Sequence, residues 1–257
     1  MADYDNRAVR ARPGVMEGAI DSGLRAYMLR VYNYMLVGLA LTGAAAYGLF
    51  SFAATTDRSQ GVLALHGGLW LTQLGVTLYT TPLMWVVMLA PLAVVMFLSF
   101  GINRISAATA QLMFWVYSVL VGFSLSFIFV AYVGASIAQV FFITAAAFAG
   151  LSLWGYTTKS DLTGFGSFLI MGVFGLVIAM VVNMFLHSGM MSWIVSIAGV
   201  GIFAGLTAYD TQKIKEIYYA GDDGTLAAKK SIMGALALYL DFLNMFLFLL
   251  RLMGNRR

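Results

Sequence analysis

Apolar residues in this chain gather into seven long runs separated by short polar stretches, unlike the stripes or strict alternation of half-exposed soluble elements. The runs are Val31 to Ala54, Leu83 to Ile102, Leu112 to Val133, Ile137 to Tyr156, Phe165 to Leu186, Met190 to Tyr209 and Ile232 to Leu252. Each has the roughly 20 residues a helix needs to cross the hydrocarbon core. Within hydrocarbon only helices and closed barrels satisfy the backbone. A barrel would need segments of about 10 residues alternating apolar and polar, whereas these runs are apolar all round. The pattern therefore predicts an all-α integral membrane fold of seven transmembrane helices over 31–252, with a short tail at 253–257.

The separators carry their own predictions. His187-Ser188-Gly189 and Gly134-Ala135-Ser136 are so short that each implies a tight helical hairpin. The longest connection, Thr55 to Thr81, holds Asp57, Arg58, His66 and Gln73 among aromatic and aliphatic residues, and reads as a segment lying at the membrane surface. Pro91, mid-run, removes a backbone donor and is expected to kink the second helix. Gly201, Gly205 and Ala208 form a small-residue stripe on the sixth span that would let another helix approach closely.

Composition agrees: 61% of the 257 residues are hydrophobic and 10% charged, too little polar surface to wrap a soluble core. With no cysteine, disulfides, thiolate metal sites and Cys nucleophiles are excluded. The net charge of +4 sits at the edges of the runs, not in a stripe interleaved with aromatics, so no nucleic-acid partner is expected.

Of the 15 Lys and Arg, 11 fall on the amino-terminal segment and the even-numbered loops and four on the opposite side. This bias places residues 1–30 in the cytoplasm as an amino-terminal tail. That tail has no apolar h-region, so no cleaved signal peptide is expected. Seven crossings then leave the carboxyl terminus outside, in tension with Arg251, Arg256 and Arg257; a re-entrant seventh run is the alternative.

Few ionisable groups lie within the spans. Asp241 is well inside the seventh, Asp210 closes the sixth, and Arg30, Arg104, His187 and Arg251 sit near span ends. A carboxylate at a helix centre costs about 3 kcal/mol on insertion scales, so Asp241 should face the bundle interior, hold a proton or have a partner. The sixth and seventh spans are consecutive, so Asp210 and Asp241 could meet if the sixth helix tilts or continues through Thr211-Gln212-Lys213. Two carboxyl groups in contact cannot both ionise cheaply and would share a proton, forming a proton-sensitive latch. The plainer alternatives are Asp210 paired with Lys213 one turn later, and Asp241 as a structural carboxyl bonded to a neighbouring hydroxyl or Asn. Arg104 ends the second span on the same side, where the orientation rule alone would put an Arg. Asn244 shares the face of Asp241 and could bond across helices; it and Tyr239 are candidate pore-lining or supporting residues. Gly221-Asp222-Asp223-Gly224 lacks EF-hand spacing and reads as a solvated turn.

The runs Ala208-Tyr209-Asp210-Thr211-Gln212-Lys213-Ile214 and Leu238-Tyr239-Leu240-Asp241-Phe242-Leu243-Asn244 resemble the closing signature of the Bax inhibitor family of membrane proteins. Thr158-Lys159-Ser160-Asp161-Leu162 is similar to that family's fourth loop. The resemblance covers all seven spans. It implies a fold with the last helix central, and a bacterial inner (plasma) membrane location. It further implies a calcium-permeable leak whose opening depends on pH. The implied sensor is Asp210 with Asp241, transiently touching Ca²⁺, with Arg104 as a latch arginine. No cofactor is implied; the lipid bilayer, Ca²⁺ and protons are the expected partners. The chain departs from the pattern in its long first loop, and in having Ala93 and apolar neighbours where some bacterial relatives carry an acid.

Two other classes remain. Intramembrane aspartyl proteases also place one Asp on each of two adjacent helices, but here no Gly precedes Asp241 and no Pro-Ala-Leu follows, so an enzyme is not expected. A regulator of a membrane-bound protease or stress response, acting through the amino-terminal tail or the sixth loop without conducting ions, is the alternative that the resemblance also suggests.

Overall fold

The computed structural model describes residues 13–257, with side chains from Ser22 onward except His66. Residues 1–12 of the predicted amino-terminal tail lie outside this range. The rest of that tail is helical, because α1 (Pro13–Ala53) begins at Pro13 and not at Val31. A proline suits a first helical turn, where its missing N–H has no intrahelical partner anyway.

Among the described residues, seven helices are long and apolar enough to cross a membrane. They are α1 from Ser22, α3 (Leu83–Gly101), α4 with α5 (Ala107–Leu125 and Phe127–Ala131), α6 (Gly134–Thr157), α7 (Thr163–Leu186), α8 (Gly189–Glu216) and α9 (Gly224–Met253). α9 is the most buried: it packs against α1, α4, α6 and α8, while α3 lies outside on α4 and α7 outside on α8. The last helix is therefore the core of the bundle. Its neighbours expose Phe, Leu and Met outward, as helices facing lipid must.

The carboxyl terminus resolves the seventh crossing. Val133 N–H donates to the Asn255 carbonyl at 3.0 Å and Arg257 N–H to that of Ala131 at 3.1 Å. At the other end of α9, Lys230 Nζ reaches Asp222 at 2.6 Å and the Ile217 carbonyl at 3.0 Å. One end of α9 thus joins the connection after the third span and the other joins the turn before α9, so the run crosses fully and is not re-entrant. The three arginines that sat uneasily there are accommodated: Arg251 over Phe248, Arg256 over Tyr132, and Arg257 Nε on the Tyr132 carbonyl at 3.2 Å.

The connections refine the expectations. The tight turn after α7 is as predicted: His187 adopts the left-handed region (φ 50°), and Asn183 Oδ1 accepts from Ser188 N–H at 3.0 Å. Gly134-Ala135-Ser136, in contrast, is the first turn of α6; the link itself is Tyr132-Val133. The long first connection is structured. β1 (Ala54–Thr55), β2 (Leu63–Ala64) and β3 (Trp70–Leu71) form an antiparallel sheet of order β1-β3-β2, followed by α2 (Gln73–Thr80). Gly75 lets α2 lie on the end of α1, since a Cβ there would stand 2.0 Å from the Ala53 carbonyl oxygen.

Within α3, Pro91 cannot donate to the Val87 carbonyl four residues back. Ser124 Oγ of α4 donates to it instead at 2.5 Å, so the cost of the proline is met by the neighbouring helix.

Candidate functional site

α8 does continue past Tyr209, by two turns to Glu216, and that extension positions the site. α8 and α9 run antiparallel. Gly199 faces Phe248, where a Cβ would meet the ring at 2.6 Å, and Phe203 stacks on Phe248 at 5.9 Å. Further along, Ile214 lies against Gly234. Between these contacts the same register brings Asp210 opposite Asp241, and the two carboxyl side chains are hydrogen-bonded to each other. Asp241 is 4% exposed, and its Oδ2 is buried and receives no hydrogen bond from an N–H or hydroxyl donor.

Of the plainer alternatives, the Asp210–Lys213 one is partly met, since the Lys213 charge acts on Asp210 while its Nζ lies over the Tyr209 ring at 5.7 Å; Asp241 bonds a carboxyl group and not a hydroxyl or Asn. Among the described residues the one salt bridge is Lys230–Asp222. Arg104 is not brought to the aspartates. It is exposed in the turn after α3, and α3 packs on α4, away from α8. Lying at the same end of the bundle did not place it on the same side.

Asn244 bonds back within its own helix, donating to the Leu240 carbonyl at 2.9 Å, so the expected cross-helix bond is not made. Tyr239 is fully buried and acts across helices: its hydroxyl lies 2.6 Å from Thr42 Oγ1 of α1, and its ring meets Phe114 and Tyr117 edge-on. No group of three or more His, Asp or Glu side chains that could hold a metal occurs among the described residues. Two carboxyl groups fall short of the six to eight oxygens of a resident Ca²⁺ site.

Several participants were not foreseen. Next to Asp210, Thr211 Oγ1 donates to the Thr207 carbonyl at 2.7 Å and lies 2.9 Å from Ser152 Oγ of α6. Ser152 in turn lies 2.7 Å from the Tyr32 hydroxyl of α1. Gln212 clamps the loop between α6 and α7: its Oε1 accepts from Leu162 N–H at 2.9 Å, and its Nε2 donates to the Ser160 carbonyl at 2.8 Å. Lys215 Nζ donates to the Tyr156 carbonyl at 2.8 Å. The close approach of α6 to α8 depends on Gly155, whose Cβ would stand 2.2 Å from the Ala208 carbonyl oxygen. The predicted stripe is thus partly right. Gly205 is crowded by Leu169 and Ala208 by Gly155, but Gly201 faces outward, and Gly199 takes its place against α9.

The profile of the family described as "Inhibitor of apoptosis-promoting Bax1" matches residues 24–257. The chain is 44% identical over 239 residues to the protein named "Inner membrane protein YbhL" of Escherichia coli (strain K12), covering 92% of this chain and 94% of that one. It is also 44% identical over 237 residues to a protein of Rickettsia prowazekii, covering 92% of each, and 42% identical over 259 residues to one of Caulobacter vibrioides along the full length of both.

Proposed function

From the premise that this chain belongs to the Bax1 inhibitor family, we propose that it is a pH-sensitive, calcium-permeable leak of the inner membrane, gated by the Asp210–Asp241 pair. The location follows the name of the Escherichia coli relative.

The observation that carries the reading is the hydrogen bond between two carboxyl groups on adjacent helices inside the bundle. An ionised carboxylate can only accept, so such a bond holds a proton. With that proton present, α8 and α9 stay joined at mid-seam. Its loss leaves two like charges in contact, and in a low-dielectric interior their repulsion far exceeds its value in water. Separation of the carboxylates relieves the repulsion and opens a path lined by carboxylate oxygens, the ligand type that Ca²⁺ favours. Arg104 has no part in this gate.

Purified protein in liposomes, with entrapped calcium dye and the external pH stepped, tests the reading. Wild-type flux is expected to rise as pH rises. Asp241→Asn, which cannot acquire the second charge, is expected to remove that dependence. Absence of flux at every pH rules out conduction; pH-independent flux in the wild type rules out the latch.

A further inference from the structure

One cavity of the described chain is not used by the function proposed above. It has a volume of about 720 Å³, within the range of small-molecule sites, and runs as a groove between α1 and α6. These two helices flank α9 without packing closely on each other. Phe242 of α9 forms the floor, held edge-on by Phe141 and Phe148 at 5.4 and 5.6 Å. Met35, Leu39 and Ala145 continue the apolar wall.

The groove has a polar end and an apolar end. At one end stand Arg25 and Tyr156, with the Lys215 ammonium 5.3 Å from the Tyr156 ring. At the other are Leu39 and Phe141. From Arg25 to Leu39 is 14 residues of helix, about 21 Å at 1.5 Å per residue. Half of a hydrocarbon core is about 15 Å, so the groove runs from headgroup level to near the midplane of one leaflet. No carboxylate lines it. Its walls are tied by the 2.7 Å bond between Tyr32 and Ser152. A helix about 10–12 Å across could enter only by breaking that tie, whereas an acyl chain is thin enough to enter without doing so.

We propose that this groove binds one anionic phospholipid of the adjacent leaflet, an acyl chain lying along α1 and α6 over Phe242 and the phosphate meeting Arg25. Basic pockets between transmembrane helices recognise lipid headgroups by the same charge logic. The proposal does not depend on ion conduction.

Native mass spectrometry of the full chain in detergent micelles, with phosphatidylglycerol and phosphatidylcholine added at equal concentration, tests it. Wild type is expected to retain one phosphatidylglycerol in preference to phosphatidylcholine. Arg25→Gln, at an exposed position that leaves packing intact, is expected to lower that preference about fivefold. Ala149→Phe, filling the groove, is expected to remove the retained lipid, whereas Phe174→Ala on the outer face of α7 leaves it unchanged. Equal retention of the two lipids by wild type overturns the proposal. So does undiminished preference in Arg25→Gln, or a dimer of the chain that Ala149→Phe abolishes.

Discussion

Replacing Gln212 by Leu tests whether the end of α8 is anchored to the loop between α6 and α7. The side chain is 6% exposed and makes two hydrogen bonds, one from the Leu162 N–H and one to the Ser160 carbonyl. These two groups respond differently to its loss. Leu162 is 6% exposed, so its N–H stays buried without a partner, at a cost of about 1–3 kcal/mol. Ser160 is exposed, so its carbonyl finds water and only the net value of a hydrogen bond is lost, about 0.5–1.5 kcal/mol. Local opening of residues 158–163 should therefore become easier by about 2–4 kcal/mol. At 1.4 kcal/mol per factor of ten, that is an increase in open population of about 30-fold to several hundred-fold. Hydrogen exchange of the peptide covering 157–164, followed by mass spectrometry in detergent micelles, reads this directly. Gln212→Glu keeps an acceptor for Leu162 and loses only the donor to an exposed carbonyl, so its effect should be smaller. Unchanged protection in Gln212→Leu, or a Glu variant as open as the Leu variant, would refute the clamp.

Gly155→Ala forces a Cβ against the Ala208 carbonyl and should lower thermal stability by about 1–3 kcal/mol, checked by unfolding of the purified protein; an unchanged midpoint would mean that α6 and α8 can part freely. Ser124→Ala orphans the Val87 carbonyl only while Pro91 is present, so the variant should cost about 1 kcal/mol in the wild-type background and much less combined with Pro91→Ala; additive losses in that double-mutant cycle contradict the rescue. The Thr163 hydroxyl and N–H hold the Asp161 carboxyl below its ordinary range, so its stabilisation is present above the unfolded-chain value and fades as pH falls through the lower folded one. Exchange of the Thr163 amide, corrected for intrinsic rate, should accelerate over that acid window in wild type and show no such step in Asp161→Ala.

The spans were legible because an apolar run of about 20 residues has few other uses. Their ends were less so. The last turns of α8 and the first turns of α9 carry Lys213, Lys215, Lys229 and Lys230, so hydropathy falls while the helix continues. The aspartates stood out as isolated carboxyls in apolar surroundings, yet their contact hinged on that hidden extension of α8. Arg104 shows what a linear reading lacks: it gives depth along the membrane normal but not position around the bundle. Gly201 and Gly199 make the same point, since spacing does not say which face of α8 meets α9. Gln212 was a visible signal, an amide beside a long apolar run, but its partners are backbone groups of a loop, and those leave no pattern in sequence.

On the proposed reading, the distribution of polar ties singles out the aspartate pair as the element that responds to pH. α8 is bound to the α6 side by several hydrogen bonds, from Thr211, Gln212 and Lys215, all within its last two turns. Ser152 carries that network on to Tyr32 of α1. α9 is held differently. Over its membrane-embedded middle, among the described residues, the polar side-chain ties to other helices are Tyr239 with Thr42 and Ser118, and Asp241 with Asp210. The remainder is aromatic and aliphatic packing, which is non-directional and depends on contact being kept. The Tyr239–Thr42 tie is between neutral hydroxyl groups and does not change with protonation at moderate pH. The aspartate tie does, because its hydrogen bond requires a proton. In the proposed gate a change in protonation therefore acts on the α8–α9 seam and leaves the α6–α8 clamp and the α1–α9 tie in place. Any movement it drives is of α8 against α9, with Gly199–Phe248 and Ile214–Gly234 as the contacts on either side of the break.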